Sequence, residues 1–386
     1  MSKQNYLKEF SRLSREEKLN MISGFAPDQD AFKKELESYR FSDNNLQNKF
    51  EKISENTISN FHLPYSIAPN FLIDGNIYQV PMVTEESLVV EAASKAANFW
   101  YEHGGFKTVE IATAKRGYIH VIWNGSTEGL DALFSQFQGI LEEKIDAIIN
   151  KLDAQKVALN ESWLSDMTSE MENYYMLGFS LETGNSMDAN LINSLLDYLA
   201  KEFKDFAGKH NPDKLEIIMA VLSNYTPGSY IKMKVESPVK ELGEFDKSIE
   251  GRVFAEKFKN AVEIGKHSVS RAVTNNKGIM NGIDAVLMAT GNDFRAAEAG
   301  AHAYSVTKGK HVSLSDCKIS DETFTFWFTI PLALGTTGEI TKLHPLVSKS
   351  LDILGQPDEK DLMKVVAAAG LASNFSAMAS LITPHK

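Results

Sequence analysis

The stretch at residues 276–293 reads NKGIMNGIDAVLMATGND, and the interpretation of the whole chain starts from it. Lys277 stands near its beginning among asparagines and glycines, and Asp293 closes it in a Gly-Asn-Asp turn. The apolar residues between them predict a buried helix with a polar turn at each end. A lysine in low-dielectric surroundings can stabilise an oxyanion, and a nearby carboxylate can keep it charged. The stretch is therefore either a lysine–carboxylate site or a purely structural helix.

The composition bounds the classes of protein to which the chain can belong. Its 386 residues leave room for two domains, and 43% are hydrophobic. We expect a soluble, cytoplasmic protein with no membrane partner, because there is neither a long apolar run nor a signal-peptide pattern. A single cysteine, Cys317, excludes an internal disulfide and a cysteine-cluster metal site. The net charge of −11 argues against nucleic-acid binding, which needs a basic surface.

Several common catalytic motifs are missing from the sequence. It contains no GxGxxG, GxxxxGK[ST], HExxH or GxSxG. Phosphate-loop ATPase, standard Rossmann dehydrogenase, zincin and α/β-hydrolase interpretations therefore lose their main support. The nine histidines show no short metal-ligand spacing, so we expect no metal site. His302 and His344 are interpreted as structural or substrate-adjacent.

The N-terminal part predicts helices followed by a hairpin. Residues 14–17 form a capping box, and the pair Asp74-Gly75 is typical of a hairpin turn between strands at 71–73 and 77–83. Thr84 is a plausible N-cap of the next helix, with Glu85 and Glu86 in its first turn. That helix should stop at Gly104-Gly105, and its alanine-rich face should pack closely against another helix or subunit.

The composition changes near residue 110, and an α+β module is predicted from there to residue 223. Its elements alternate in a β-α-β-α-β order that suggests a ferredoxin-like insert. The predicted elements are a strand-like segment at 109–123 with a turn near Gly117, helices at 130–152 and 187–206, and strands at 174–181 and 215–222.

Three residues form a candidate catalytic set. A carboxyl at a helix start, Glu86, together with Lys277 and Asp293 could make a proton relay. Each residue also has an ordinary interpretation, since Glu86 suits any first helical turn and Asp293 could simply cap the next helix. Arg271 adds a second cation, and two cations near a glycine-rich turn suit a substrate that bears a carboxylate.

A family resemblance emerges from motifs spread along almost the whole chain. They are ISENTI at 53–58, VPMVTEE at 80–86, NKGIMNG at 276–282, ATGND at 289–293 and EAGAHAY at 298–304. In this order they resemble the class II (soluble, bacterial-type) 3-hydroxy-3-methylglutaryl-coenzyme A reductases. The resemblance implies an α+β fold, in which a large, mostly helical substrate and dimerisation domain (1–109 and 224–386) is interrupted by a small ferredoxin-like NAD(P)-binding domain (110–223).

The resemblance also implies a reaction and roles for residues. Family members use two molecules of NADH or NADPH to reduce the thioester of HMG-CoA to mevalonate and free coenzyme A, and some run the reaction in reverse. Lys277 would stabilise the thioester oxygen, Glu86 would donate a proton, and Asp293 would tune both through hydrogen bonds. The acyl end of the substrate would be held by Arg271, Thr274 and Asn281. The active site would form at the interface of a homodimer or a higher even oligomer.

The cofactor loop of the family falls at residues 185–190. The usual Asp-Ala-Met-Gly-x-Asn is replaced by Asn-Ser-Met-Asp-Ala-Asn, so an aspartate, Asp188, stands in place of a glycine. An aspartate here should repel phosphate and crowd the backbone at a helix start. The implied cofactor-binding residues are Asn185, Met187, Asp188, Ala189, Asn190 and, where the two domains would meet, Asn224.

Three further positions depart from the family pattern. Gly338-Glu339 stands where Gly-Gly is usual, and Glu86 is followed by Ser87-Leu88 rather than by Pro-Ser. The chain ends at Lys386, before the position of the histidine of the family's mobile C-terminal flap, so that flap is expected to be absent and His385 is not its equivalent. Two hypotheses stay open: a working reductase, and a divergent paralogue that binds an acyl-coenzyme A or a protein partner with little turnover.

Overall fold

Helices and antiparallel strands alternate along the chain, which confirms the mixed α+β prediction. The computed structural model describes residue 7 and residues 9–152, 157–184, 189–209, 214–307, 309–338, 340 and 343–384. The helices are α1 (Arg15–Ser23), α2 (Gln29–Ser38), α3 (Asn44–Phe50), α4 (Val89–Glu102), α5 (Thr127–Gln138), α6 (Leu141–Lys151), α7 (Ala189–Gly208), α8 (Gly251–His267), α9 (Val269–Thr290), α10 (Phe294–Tyr304), α11 (Pro345–Ile353) and α12 (Glu359–Ile382). The strands are β1 (Tyr65–Ile73), β2 (Asn76–Val83), β3 (Lys107–Thr113), β4 (Lys115–Trp123), β5 (Ala158–Asp166), β6 (Tyr174–Glu182), β7 (Leu215–Leu222), β8 (Ser229–Pro238), β9 (Val306–Thr307), β10 (Lys310–His311), β11 (Ser315–Ser320) and β12 (Thr323–Pro331).

Two four-stranded antiparallel sheets organise the fold. One has the order β11-β12-β8-β3, and the other has the order β5-β6-β4-β7. In the second sheet the chain runs from β4 through α5 and α6 to the β5–β6 hairpin, and then through α7 to β7. This is the β-α-β-β-α-β connectivity of ferredoxin-like modules. Each sheet faces its own hydrophobic cluster, and α5, α6 and α7 supply most of the second.

The strand-like segment at 109–123 proves to be two strands that belong to different sheets. The chain breaks at Ala114 and not at Gly117, so β3 pairs with β8 while β4 pairs with β6 and β7. Gly117 lies inside β4, where an added Cβ would come within 2.5 Å of Leu196 on α7. The glycine therefore serves close helix–sheet packing and makes no turn. The predicted helix at 130–152 is also interrupted, at Gly139, and strand β5 was not predicted.

The predicted hairpin and capping box are confirmed. Ser14 and Glu17 bond reciprocally at the start of α1, and β1 pairs with β2 around the Asp74-Gly75 turn. The helix after β2 starts later than predicted, at Val89, because Leu88 takes a left-handed conformation with φ 71°. Residues 84–88 therefore form a loop that carries Glu86, rather than a first helical turn.

The alanine-rich face of α4 is buried inside the same chain. Ala93, Ala96 and Ala97 are fully buried, and α4 packs against β1 and α12. The Ser376 hydroxyl of α12 donates to the carbonyl oxygen of Ala92 at 2.6 Å, which fixes this close approach. The partner that the alanine face required is thus a helix of this chain, and the face gives no support for a subunit contact.

The central stretch is one continuous helix, α9. Ser268 caps its start, and Gly291, with φ 70°, ends it in the left-handed conformation that glycine adopts at low cost. The expected polar turn around Lys277 is therefore helical. Its glycines allow α12 to approach, because a Cβ on Gly282 would lie 2.3 Å from the carbonyl oxygen of Ala369. Close packing of α9 on α12 fixes where Lys277 emerges from the core.

A buried ion pair joins the two sheet units. Nζ of Lys115, at the start of β4, lies 2.7 Å from Oε1 of Glu359, at the start of α12, and both side chains are nearly inaccessible to solvent. Next to it, the Thr113 hydroxyl donates to Glu182 at 2.8 Å. Helix α12 is long and apolar enough to span a membrane by composition alone, but most of it is buried in this fold, as expected of a core helix.

Candidate functional site

A polar cavity of about 350 Å³ opens between the β2–α4 loop, α9 and α10. Its size lies within the range of small-molecule sites. The residues that line it are Val83, Thr84, Glu85, Glu86, Lys277, Met280, Asn281, Asp284, Ala285, Met288, Phe294 and Glu298. Three of the sequence-predicted site residues, Glu86, Lys277 and Asn281, therefore come together here.

The most direct polar contact in the cavity is between Lys277 and Glu86. Nζ of Lys277 donates a hydrogen bond to Oε2 of Glu86. Both side chains are about half exposed, so the pair is reachable from solvent. The loop holds Glu86 in place, since its amide donates to the Thr84 hydroxyl at 3.1 Å. An ammonium and a carboxyl in contact at an open cavity can together stabilise a developing oxyanion and transfer a proton.

One face of α9 carries the polar residues of the cavity. Lys277, Asn281, Asp284 and Met288 recur at intervals of three or four residues, which places them in one stripe. Thr274 continues the same stripe toward the helix start, where it is exposed and its hydroxyl donates to the Ser270 carbonyl oxygen at 3.0 Å. Thr274 does not itself line the cavity.

Arg271 is a half-buried cation at the start of α9. Its Nη2 lies 2.8 Å from the Met378 sulfur, and burial lowers the pKa of the guanidinium. No carboxylate pairs with it in the part of the chain that the structure describes. A partly desolvated guanidinium without a counter-ion is suited to an anionic ligand group.

Asp293 lies apart from the Lys277–Glu86 pair within this chain. Its Oδ1 accepts hydrogen bonds from the backbone amides of Arg295 and Ala296 at 3.0 and 3.2 Å, and so caps α10. The same oxygen lies 3.3 Å from Nε of Arg295. The side chain is 55% exposed and does not line the cavity. The capping role that the sequence offered as the ordinary interpretation is thus present.

Sequence reasoning missed an acidic cluster on the inner wall. Asp284 and Glu298 line the cavity beside Glu85 and Glu86. Burial raises the pKa of Asp284 from 3.8 to about 8, with Glu298 and Glu85 adding to the rise and Lys277 opposing it. The spacing of four and seven residues from Lys277 to Asn281 and Asp284 was the signal that could have identified Asp284. Glu298 had no local signal, because it enters from α10.

Most of the predicted cofactor loop lies outside the described residues. This holds for Asn185, Met187 and Asp188, and likewise for Glu339 and His385. Ala189 is the first residue of α7, and Asn190 follows it on an exposed turn. Within the described residues the first turn of α7 carries no acidic side chain, and Asp188 precedes it directly in the sequence.

Asn224 is exposed in the connection from β7 to β8. Its carbonyl oxygen packs against Gly300 of α10, where an added Cβ would come within 2.8 Å. The residue therefore lies between the β5-β6-β4-β7 sheet and the helix that supplies Glu298. That location agrees with the predicted position of Asn224 between the two units.

A larger and mainly apolar cavity, of about 570 Å³, lies beside the polar one. It shares Val83 and Met288 with the polar cavity and is lined by residues of α3, α11 and the preceding loops. His344 is half-buried on its wall, and burial lowers the pKa of the imidazole. This cavity holds neither Lys277 nor Glu86, so we assign the chemistry to the smaller, polar cavity.

Comparisons with known proteins decide the family. The model of the hydroxymethylglutaryl-coenzyme A reductase family matches residues 14–385. The chain belongs to this family. A 3-hydroxy-3-methylglutaryl-coenzyme A reductase from Archaeoglobus fulgidus is 33% identical over 384 residues, a match that covers 97% of this chain and 82% of the relative. The resemblance found in the sequence motifs is thereby confirmed.

Solved structures of reductases from the same family share the fold. The class II 3-hydroxy-3-methylglutaryl-coenzyme A reductase of Streptococcus pneumoniae, bound to NADPH in open conformations, superposes with a TM-score of 0.81 at 29% sequence identity. The match covers 97% of this chain and 99% of that one. A second structure of the Streptococcus pneumoniae reductase also gives a TM-score of 0.81 and covers 98% of this chain.

Proposed function

We propose that the polar cavity is the active site of an NAD(P)H-dependent reductase that converts HMG-CoA to mevalonate and free coenzyme A. Family membership supports the reaction, and the Lys277–Glu86 contact is the observation that carries the assignment of the site. The overall change consumes two NAD(P)H and two protons per thioester. The cytoplasm is the compartment that we propose, in line with the acidic composition.

Lys277 and Glu86 have different roles in the two reduction steps: Lys277 stabilises negative charge, and Glu86 delivers a proton. When a hydride adds to the thioester carbonyl carbon, negative charge develops on its oxygen, and the Lys277 ammonium stabilises that charge. The oxyanion then re-forms the carbonyl as the carbon–sulfur bond breaks, coenzyme A leaves as a thiolate that takes up the first of the two protons, and an aldehyde remains. The second hydride adds to the aldehyde carbon, and the proton that makes the alcohol is delivered through Glu86. We propose Asp293 as the third catalytic residue, and its exposed carboxyl is open to a partner subunit.

Arg271, Thr274 and Asn281 are proposed to hold the acyl end of the substrate. The Arg271 guanidinium pairs with no carboxylate among the described residues, and Arg271 precedes Lys277 by six residues, or roughly 9 Å of helix rise. A short acyl chain with a carboxylate at one end and a thioester at the other would fit between these two long side chains. Helix α9 thus carries one cation for each end of the substrate, with Asn281 beside the thioester end.

The unit at 110–223 is proposed to bind the nicotinamide cofactor. The start of α7, with Ala189 and Asn190, suits the pyrophosphate because a helix N-terminus carries the positive end of the helix dipole. Asn185, Met187 and Asp188 precede it in the sequence, and Asn224 lies on the side of α10. The reduced cofactor supplies the two hydrides, and these residues hold it within reach of the cavity.

We propose a homodimer, or a higher even oligomer, as the active assembly. Glu86 and Lys277 are half exposed, and Leu88 in the same loop is 70% exposed. An exposed leucine beside an open catalytic pair is what a subunit interface would cover. Asp293 lies apart from Lys277 within one chain. In the dimer, Asp293 of one subunit would then reach the active site of the other subunit.

Turnover of Lys277→Ala tests this function. NADH or NADPH oxidation would be followed with HMG-CoA, for wild type and for this variant. Lys349→Ala is the matched control, because Lys349 also pairs with a carboxylate but on the surface of α11. We expect activity with at least one nicotinamide, its loss in Lys277→Ala and its retention in Lys349→Ala. Absence of any Lys277-dependent oxidation with either cofactor would favour the second candidate, a paralogue that binds acyl-coenzyme A without turnover.

A further inference from the structure

Two carboxyl groups meet between α9 and α10 on the inner wall of the active-site cavity. Asp284 on α9 and Glu298 on α10 both line this cavity, and the Glu298 carboxyl raises the pKa of Asp284. The Oδ1 atom of Asp284 is inaccessible to solvent and has no hydrogen-bond partner among the described residues. Two neighbouring carboxylates in partly buried surroundings repel each other strongly, and one shared proton turns the repulsion into a hydrogen bond.

The same wall holds more negative than positive groups. Glu85 and Glu86 face the cavity from the β2–α4 loop, Glu298 faces it from α10, and Asp284 shares α9 with Lys277. Among the described residues that line this cavity, Lys277 is the only cation. Asp284 follows Lys277 by two helical turns on the same face, so the two side chains interact through space. An ionised Asp284 would therefore compete with Glu86 for one ammonium group.

We propose that Asp284 and Glu298 share one proton, and that the uncharged Asp284 leaves Lys277 paired with Glu86 and available to the substrate oxygen. This inference rests on the function proposed above, because it assumes that Lys277 and Glu86 act on the substrate. Asp284 and Glu298 are then positioning residues, which touch the reacting atoms only through Lys277. The raised pKa of Asp284 agrees with this arrangement, since burial and Glu298 both favour the protonated acid.

Neutralising Glu298 and neutralising Asp284 should have opposite effects on Lys277, and this difference tests the proposal. Glu298→Gln removes the negative charge beside Asp284 and supplies an amide that can donate a hydrogen bond to it. Asp284 therefore ionises at lower pH, and its carboxylate attracts the Lys277 ammonium away from Glu86. In Asp284→Asn the side chain is neutral at every pH. We therefore expect Glu298→Gln to lower kcat/KM by roughly tenfold near neutral pH, the equivalent of one pKa unit of altered interaction. Adding Asp284→Asn to Glu298→Gln should restore most of that loss.

The pH profile of kcat/KM separates this role from simple packing. The wild type should lose activity above about pH 8, where the shared proton leaves, and Asp284→Asn should lack that alkaline fall. Glu85→Gln provides a second test of the shared proton, and it changes no buried side chain because Glu85 is exposed. It removes one charge that raises the Asp284 pKa, so it should move the alkaline fall to lower pH.

A control variant completes the test, together with an outcome that would refute the proposed function rather than the shared proton. Glu263→Gln, a carboxyl-to-amide change on α8 far from the cavity, should leave the profile as in wild type. Two outcomes would overturn the proposal of a shared proton. One is a loss of kcat/KM in the double variant that equals the product of the losses in Glu298→Gln and Asp284→Asn. The other is an alkaline fall of kcat/KM that persists in Asp284→Asn. Full activity in Lys277→Ala would instead overturn the catalytic pair itself. Melting temperatures of all variants identify any that lose activity by unfolding.

Discussion

Lys277 on α9 donates a hydrogen bond to Glu86 in the β2–α4 loop, although 191 positions separate the two residues. Neither residue owes its position to its neighbours in sequence alone. Lys277 is placed by the packing of α9 on α12, which Gly282 permits, and Glu86 is placed by the loop that the left-handed Leu88 closes. The contact is thus a product of the large hydrophobic cluster beneath it.

The aspartate at position 188 is expected to weaken cofactor binding. Asp188→Gly removes a negative charge next to the start of α7 and frees the backbone there, so the KM for the nicotinamide should fall by about two- to fivefold. Steady-state kinetics with each nicotinamide measures this. Asp188→Asn, which removes the charge without freeing the backbone, should give only part of the gain. An unchanged KM in both variants would refute the idea that Asp188 opposes the phosphate.

Arg271 is expected to bind the substrate carboxylate as a planar, two-pronged donor. Arg271→Lys keeps the charge but loses the second hydrogen bond, so the KM for HMG-CoA should rise roughly tenfold or more. Arg252→Lys is the control, because Arg252 pairs with Glu322 on the surface and lies outside the cavity. Equal and small effects of the two changes would show that Arg271 does not contact the substrate.

The buried Lys115–Glu359 pair is expected to matter for stability across the junction of the two sheet units. Lys115→Met leaves a buried carboxylate without its partner and should lower the free energy of unfolding by about 3–5 kcal/mol. Chemical denaturation would measure the loss, and Lys349→Met should cost no more than about 1 kcal/mol because its ion pair is exposed. Adding Glu359→Leu should recover much of the loss, and failure to recover any would show that the pair is not the cause.

Asp284 also makes stability depend on pH in a defined direction. The folded protein keeps the Asp284 proton up to about pH 8, whereas an unfolded aspartate ionises near 3.9. The folded state therefore holds more protons between these values, and its stability falls as pH rises through this range. We expect the stability of Asp284→Asn relative to wild type to increase steadily from about pH 5 to pH 8.

An exposed aspartate provides the control for that pH series. Lys349 and Gln356 lower the pKa of Asp352, so this group is ionised in both states across the same range. The stability of Asp352→Asn relative to wild type should therefore stay constant above about pH 5. Melting temperatures measured in parallel for the two variants decide the matter. A constant difference for Asp284→Asn as well would show that Asp284 is ionised in the folded protein.

Local patterns predicted the elements whose signals lie within a few residues. The capping box at Ser14, the hairpin turn at Asp74-Gly75 and the helix stop at Gly291 all form as their residue types require. Predictions failed where tertiary packing decided the outcome. The glycines at 278 and 282 suggested a turn, but they serve contact with α12. Likewise, Gly117 lies within a strand because α7 packs over it.

The candidate site was predictable only in part from the sequence. Lys277 and Glu86 were identified as candidate site residues, and the family motifs implied a role for each, but nothing in the sequence near Glu86 indicates that the chain there is a loop. Asp284 could have been found from its helical spacing to Lys277. Glu298 could not, because its proximity to Asp284 depends on how α10 folds back on α9 after Gly291.

The Lys277–Glu86 pair is the central claim, and a double-mutant cycle on kcat/KM tests it most directly. Glu86→Gln, Lys277→Met and the double variant would be compared with wild type for HMG-CoA reduction. Each single change should lower kcat/KM by about 10²- to 10⁴-fold, and the double variant should be little worse than the weaker single variant because the two groups act as a unit. A double variant whose loss equals the product of the two single losses would contradict a catalytic pair.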